Sequence, residues 1–113
     1  MKKVKFKNGD KVWFVHQKFF TASGEEFCKY EIIEGTVDFY NWQTRIETPC
    51  KNGKTKVTFV SPNERNRIFS SLTDAFDEMR KLRNEVIQHI EKKITAYSKA
   101  LKKLKRITNE DKN

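Results

Sequence analysis

At 113 residues the chain is long enough for one small domain with an appendage and too short for two cores. Lys and Arg outnumber Asp and Glu by 24 to 15, and the net charge of +9 favours polyanionic partners: nucleic acid, an acidic protein surface or anionic lipid. Two cysteines are too few for a disulfide scaffold, and no apolar run approaches the ~20 residues of a membrane span, so a cytoplasmic protein with reduced thiols and no membrane partner is expected.

All four Gly and both Pro lie before residue 72, which divides the chain into a turn-rich front and a helical back. Met1 to Lys7 alternates lysine with apolar residues and has no apolar h-region, so it reads as a first strand rather than a signal peptide. Asn8-Gly9-Asp10 is a turn signal. Lys11 to Phe20 follows as a strand with Val12 and Phe14 on one face and Trp13 and Val15 on the other, a pattern suited to packing on both sides. Thr21 to Glu26 is a polar loop and Phe27 to Ile33 the next strand. Gly35 marks a bend or bulge before Thr36 to Tyr40, where Val37 and Phe39 share a face. Asn41-Trp42-Gln43 is a turn and Thr44 to Thr48 a short strand. Asn52-Gly53 signals a hairpin, and Thr55 to Val60 is expected to point Thr55, Val57 and Phe59 inward against Lys54, Lys56 and Thr58. After the turn at Ser61 to Glu64, Asn66 to Phe69 makes a short last strand.

Leu72 to Ile107 then reads as one amphipathic helix, about 54 Å long if unbroken. Ser71 is its expected N-cap, with Asp74 as the capping-box partner. Asp74, Asp77 and Glu78 near the start, and Lys102, Lys103, Lys105 and Arg106 near the end, suit the helix dipole. Leu72, Phe76, Met79, Val86, Ile87, Ile90, Ile94, Tyr97, Leu101 and Leu104 form one apolar side. Lys81, Lys92, Lys99 and Arg106 lie opposite, and Arg83 interrupts the apolar side, so it is expected to reach solvent or an acid. From Ile90 the apolar spacing of 4, 3, 4 and 3 residues, through Ile94, Tyr97 and Leu101 to Leu104, is that of a heptad seam about two heptads long. A helix that instead folds back onto the front half would break near Thr95-Ala96-Tyr97-Ser98. Residues 108–113 read as a disordered polar tail.

Asn8-Gly9-Asp10-Lys11-Val12-Trp13-Phe14-Val15, followed by Ile33-Glu34-Gly35-Thr36-Val37, resembles the opening of a small SH3-like barrel, a grammar shared with KOW-type and Tudor-like modules. Ile68-Phe69-Ser70-Ser71 running into Thr73-Asp74-Ala75-Phe76 is similar to the strand-to-helix ending of small barrel proteins of bacterial or phage type. The resemblance spans residues 4–79. It implies an α+β fold, with a small SH3-like β-barrel of about five short antiparallel strands over residues 1–71 and a basic amphipathic helix over 72–107. It implies a fold more than an activity, and no functional residue is carried over from it.

No catalytic motif is present, and His16 and His89 stand apart, so an enzyme is not expected. Cys28, Cys50 and the two histidines lack zinc-site spacing, so neither a metal nor a cofactor is expected. Phe19, Phe20, Tyr40 and Trp42 lie near strand ends or turns, and with Lys18, Lys29 and Arg45 nearby such rings are expected to stack on bases while the cations hold phosphates, or to anchor a protein partner. From Arg80 to Arg106 the chain has ten Lys or Arg and two acids, the largest charge asymmetry in the sequence. Lys92, Lys99, Lys102, Lys103 and Arg106 are its candidate phosphate contacts. These features give a non-catalytic nucleic-acid-binding or nucleic-acid-associated module as the leading expectation. The first alternative is a small protein-binding adaptor or inhibitor, such as a phage protein that blocks a host defence nuclease or nucleoprotein. The second is a homodimer formed through Ile90, Ile94, Tyr97, Leu101 and Leu104.

Overall fold

The structure is a computed structural model that describes residues 5–111. Lys11–Ala22 forms β1, Glu25–Tyr40 β2, Gln43–Pro49 β3 and Thr55–Val60 β4. A 3-10 helix, Pro62–Arg67, leads to the two-residue β5, Ile68–Phe69, and then to one helix, α1, Leu72–Asp111. The strands make one antiparallel sheet in the order β4-β3-β2-β1-β5.

The α+β class is as expected, but the sheet is open rather than closed into a barrel. Closure fails for lack of strand: the chain after β4 turns into the 3-10 helix, and β5 makes only the pairs Trp13↔Phe69 and Phe14↔Ile68. The sheet is nonetheless curled, because Val60 of β4 and Ile68 of β5 share one core with Val12, Phe14, Val37 and Ile46. Gly35 permits this. It lies opposite Val12, and a Cβ there would press on the Glu47 carbonyl and come within 2.9 Å of Ile46 Cγ2.

Several local expectations are corrected. Residues 1–4 lie outside the described residues, and 5–7 form no strand; the Lys7 N–H donates to Asp10 Oδ2 at 2.8 Å and Phe6 packs against the core. The expected loop from Thr21 to Glu26 shrinks to a Ser23-Gly24 turn, both residues having positive φ, which matches the twist of the strands it joins. The two segments around Gly35 are one strand. In β4 the expected faces are reversed: Thr58 and Val60 are buried, while Val57 and Phe59 are exposed. The pairs Ile46↔Thr58 and Thr44↔Val60 impose this, since partners across a ladder share a face and Ile46 is committed to the core.

β1 is packed on both sides, as its pattern predicts. Its second face carries Trp13 and Val15 against α1, where Ala75 and Leu82 are buried and Met79, Tyr30, Ile32 and Phe69 complete the contact. The helix opens at Ser71, whose Oγ accepts from the Asp74 N–H at 3.4 Å. It does not break near residues 95–98; there Thr95 Oγ1 donates to the Glu91 carbonyl at 3.0 Å. It runs on through the expected tail as far as Asp111, residues 112–113 lying outside the described residues, so its last turn holds no base and the dipole match expected at that end is lost. Arg83 is exposed, which removes the problem of a charge within the apolar side. Val86 and Ile90 are half-buried, and from Glu91 to Ile107 every residue is exposed. The sheet therefore covers only the first half of a helix about 60 Å long, in a molecule whose longest dimension is 73 Å.

Candidate functional site

The turn between β2 and β3 consists of Asn41 and Trp42, with φ of 48° and 67°. Two left-handed residues are what a two-residue hairpin turn needs, and Asn accepts that conformation readily. Trp does not: glycine is the usual second residue, and a side chain there costs on the order of 1 kcal/mol. The turn nevertheless holds an indole that is 98% exposed. Burial gives no reason for a tryptophan here.

The strands that flank this turn extend the feature. On the same face of the sheet as Trp13 and Val15, beyond the part that α1 covers, Tyr40 of β2, Arg45 of β3 and Phe59 of β4 succeed one another across three strands. The Arg45 guanidinium stacks 5.0 Å from the Tyr40 ring centroid, and its Nη2 donates to the Asp38 carboxylate. Phe59 lies directly opposite Arg45 in the ladder. Tyr40 is 57% and Phe59 59% exposed, so both rings present surface to solvent with a planar cation between them.

A cleft of about 340 Å³ opens between the turn and the 3-10 helix, lined by Trp42, Gln43, Phe59, Pro62, Glu64 and Arg65 among others. Arg65 Nη2 donates to the Trp42 carbonyl at 3.4 Å and ties the two walls together. Glu64 Oε1 accepts from Ser61 Oγ at 2.9 Å, while Oε2 lies 3.8 Å from His16 Nδ1; both of these latter atoms are buried without a hydrogen bond. A larger depression of about 420 Å³ is lined by Asp77, Arg80, Lys81, Asn84, Glu85 and Gln88. All six belong to α1, so it is the flank of one helix with no opposing wall, and the cleft beside Trp42 is the better site.

Tyr40 and Arg45 are thus in contact, and Trp42 stands at the adjoining turn. The helix cations are not part of this cluster. Among the described residues Leu82 is the last buried one of α1, and at about 1.5 Å per residue Lys92 lies roughly 15 Å and Arg106 roughly 36 Å farther along the axis. Lys99, Lys102 and Lys103 fall between them. Among the helix-interface candidates Ile90 is half-buried, and Ile94, Tyr97, Leu101 and Leu104 are each more than half exposed. Phe59, Glu64 and Arg65 were not legible as site residues. Phe59 was hidden by the reversed faces of β4, and the other two become neighbours of Trp42 only through the 3-10 helix.

Cys28 and Cys50 are unbonded, and among the described residues no three of His, Cys, Asp and Glu gather as a metal site would need. Among the described residues no helix is long and apolar enough to cross a membrane. The chain matches no family model, no curated protein and no solved structure.

Proposed function

We propose that the chain is a non-catalytic module that binds single-stranded nucleic acid across the exposed sheet face, bases stacking on Trp42, Tyr40 and Phe59. The observation that carries this reading is Trp42, a fully exposed indole held in an unfavourable backbone conformation. Strain without a packing return marks a functional position. Planar rings alternating with guanidinium groups suit bases, every one of which has a π-face, and the phosphates between them. Arg65 supplies local charge, Arg45 being paired with Asp38 and offering its guanidinium plane, and Lys92, Lys99, Lys102, Lys103 and Arg106 supply a second, more distant hold on the backbone of the same strand.

The SH3-like reading of the front half draws support from the sheet order, with β5 beside β1, and from the 3-10 helix between β4 and β5. A cytoplasmic location is favoured by two unbonded thiols.

Anisotropy titration of a labelled single-stranded oligonucleotide tests the proposal. Binding is expected at about 50 mM salt and is expected to weaken steeply by about 200 mM. Trp42→Ala and Phe59→Ala are each expected to weaken it by about 5- to 100-fold, the range for loss of one stacked base. Replacing Lys92, Lys99 and Arg106 together by Gln is expected to lower the slope of log affinity against log salt by about 2, at ~0.7 for each phosphate that is no longer neutralised. Absence of binding at low salt overturns the proposal. The second reading, a protein-binding adaptor or inhibitor, is favoured by the exposed Ile94, Tyr97 and Leu101. It predicts capture of one host protein that survives nuclease treatment.

A further inference from the structure

The apolar side of α1 has two halves, and only one is covered. Met79 packs against the sheet and Val86 is half-buried. Tyr97 and Leu104 stand 18 residues beyond each of them, a whole number of turns, so the exposed seam continues the same line along the helix. Ile94 and Leu101 lie beside that line. We propose that this seam, Ile90 to Leu104, is the interface of an antiparallel homodimer, each helix lying along the uncovered half of the other. The inference is independent of the nucleic-acid reading.

Two features select a second copy in this orientation. The first is steric. Because the sheet sits on the same side of the helix as the seam, a parallel partner would bring both sheets into the space between two helices only 8–10 Å apart, about the separation of packed helices. An antiparallel partner avoids this: its own sheet lies past the end of the first helix. The uncovered length matches itself, since a two-fold axis near Lys99 places Ile94 against Leu104 of the second copy and Tyr97 against Leu101 of the second copy. Ile90 then meets the last turn, close to where sheet cover ends.

The second feature is the seam's flanks. In an antiparallel pair, like flanks face each other. On one flank Glu91 meets Lys105 of the second copy, twice by symmetry, and Ser98 meets its own copy. On the other flank Ala100 meets its own copy, so small residues line both sides of the axis and allow close approach. A parallel pair would instead set Glu91 against Val86 and Lys105 against Ala100, with no charge matched. Lys92, Lys99 and Arg106 repeat every seven residues on the opposite side of the helix, so dimerisation turns both basic lines outward.

Light scattering on the nuclease-treated full chain across a concentration series reads the outcome. The expected result is a species of about 27 kDa, twice the 13.5 kDa chain, in the micromolar range. Leu101→Asp is expected to give the 13.5 kDa monomer; its side chain touches no part of the sheet core, so the tertiary circular dichroism stays unchanged. Glu91→Lys and Lys105→Glu are each expected to weaken the dimer about three- to tenfold, the scale of two exposed ion pairs, and the double exchange to restore it. A wild-type monomer at about 100 µM overturns the proposal. So does a dimer indifferent to Leu101→Asp, or assembly that requires nucleic acid or an acidic protein. A dimer that the double exchange fails to restore overturns the antiparallel arrangement.

Discussion

Trp42 is where local energetics and function pull apart. Its left-handed φ of 67° belongs to glycine by ordinary chemistry. Trp42→Gly is therefore expected to raise stability by about 0.5–1 kcal/mol in urea unfolding, the net of removing side-chain strain and adding glycine flexibility. The same change should lower nucleic-acid affinity as much as Trp42→Ala does. An equal or lower stability would show that the indole packs in a way its exposure conceals. Tyr30 offers a second single-residue test. Burial, and then the adjacent Cys28 thiol, raise its hydroxyl above the ordinary 10.0, with Arg67, stacked 5.5 Å from the ring centroid, opposing them. The fold thus favours neutral Tyr30. That contribution is complete below about pH 10 and is lost as pH climbs through the raised folded value. Tyr30→Phe should flatten the alkaline fall in urea midpoint above about pH 10 and leave the slope near neutrality unchanged.

Among the elements, β1 and α1 were legible and β4 was not, for one reason in each case. β1 alternates two apolar faces, Val12 and Phe14 against Trp13 and Val15, and both find cores, so its local pattern leaves no choice. The helix has no glycine or proline to interrupt it, a Ser71 cap and a continuous apolar side, and it forms from end to end. β4 has apolar residues at both parities, Val57 and Phe59 against Val60, so its register is decided by β3. Ile46 must be buried, and Thr58 follows it into the core. Lysine scanning distinguishes the two registers. Val57→Lys should change stability by less than about 0.5 kcal/mol, as exposed substitutions do. Thr58→Lys buries an unpaired charge and should cost several kcal/mol, roughly 3 or more, in the same urea experiment. Equal costs at the two positions would contradict the observed register. The barrel expectation failed on a similar non-local matter. Closure depends on how many residues remain for the last strand, and the 3-10 helix leaves two, Ile68 and Phe69.

At the scale of the whole molecule, a curled sheet covers the first half of a long helix and leaves two surfaces open. One is the Tyr40–Arg45–Phe59 face with Trp42 at its rim; the other is the far half of α1, apolar on one side and basic on the other. The clustering of Tyr40, Trp42 and Arg45 could be read from the chain because a tight turn forces residues two and three apart into proximity. Phe59 and Arg65 could not, since they join the group through strand pairing and a cleft that no local pattern encodes. The exposed seam was legible as apolar periodicity beyond what a front half of about 70 residues covers. The direct test of the central claim uses the indole itself. Trp42 is almost wholly exposed while Trp13, the other tryptophan, is half-buried against α1, so stacking on a base should quench the emission of one and spare the other. Titrating a Trp13→Phe variant with an unlabelled single-stranded oligonucleotide at about 50 mM salt should quench its fluorescence to saturation and shift the emission maximum, with the effect reversed by added salt. Unchanged Trp42 emission while the oligonucleotide is bound, or no binding at all, would contradict the account.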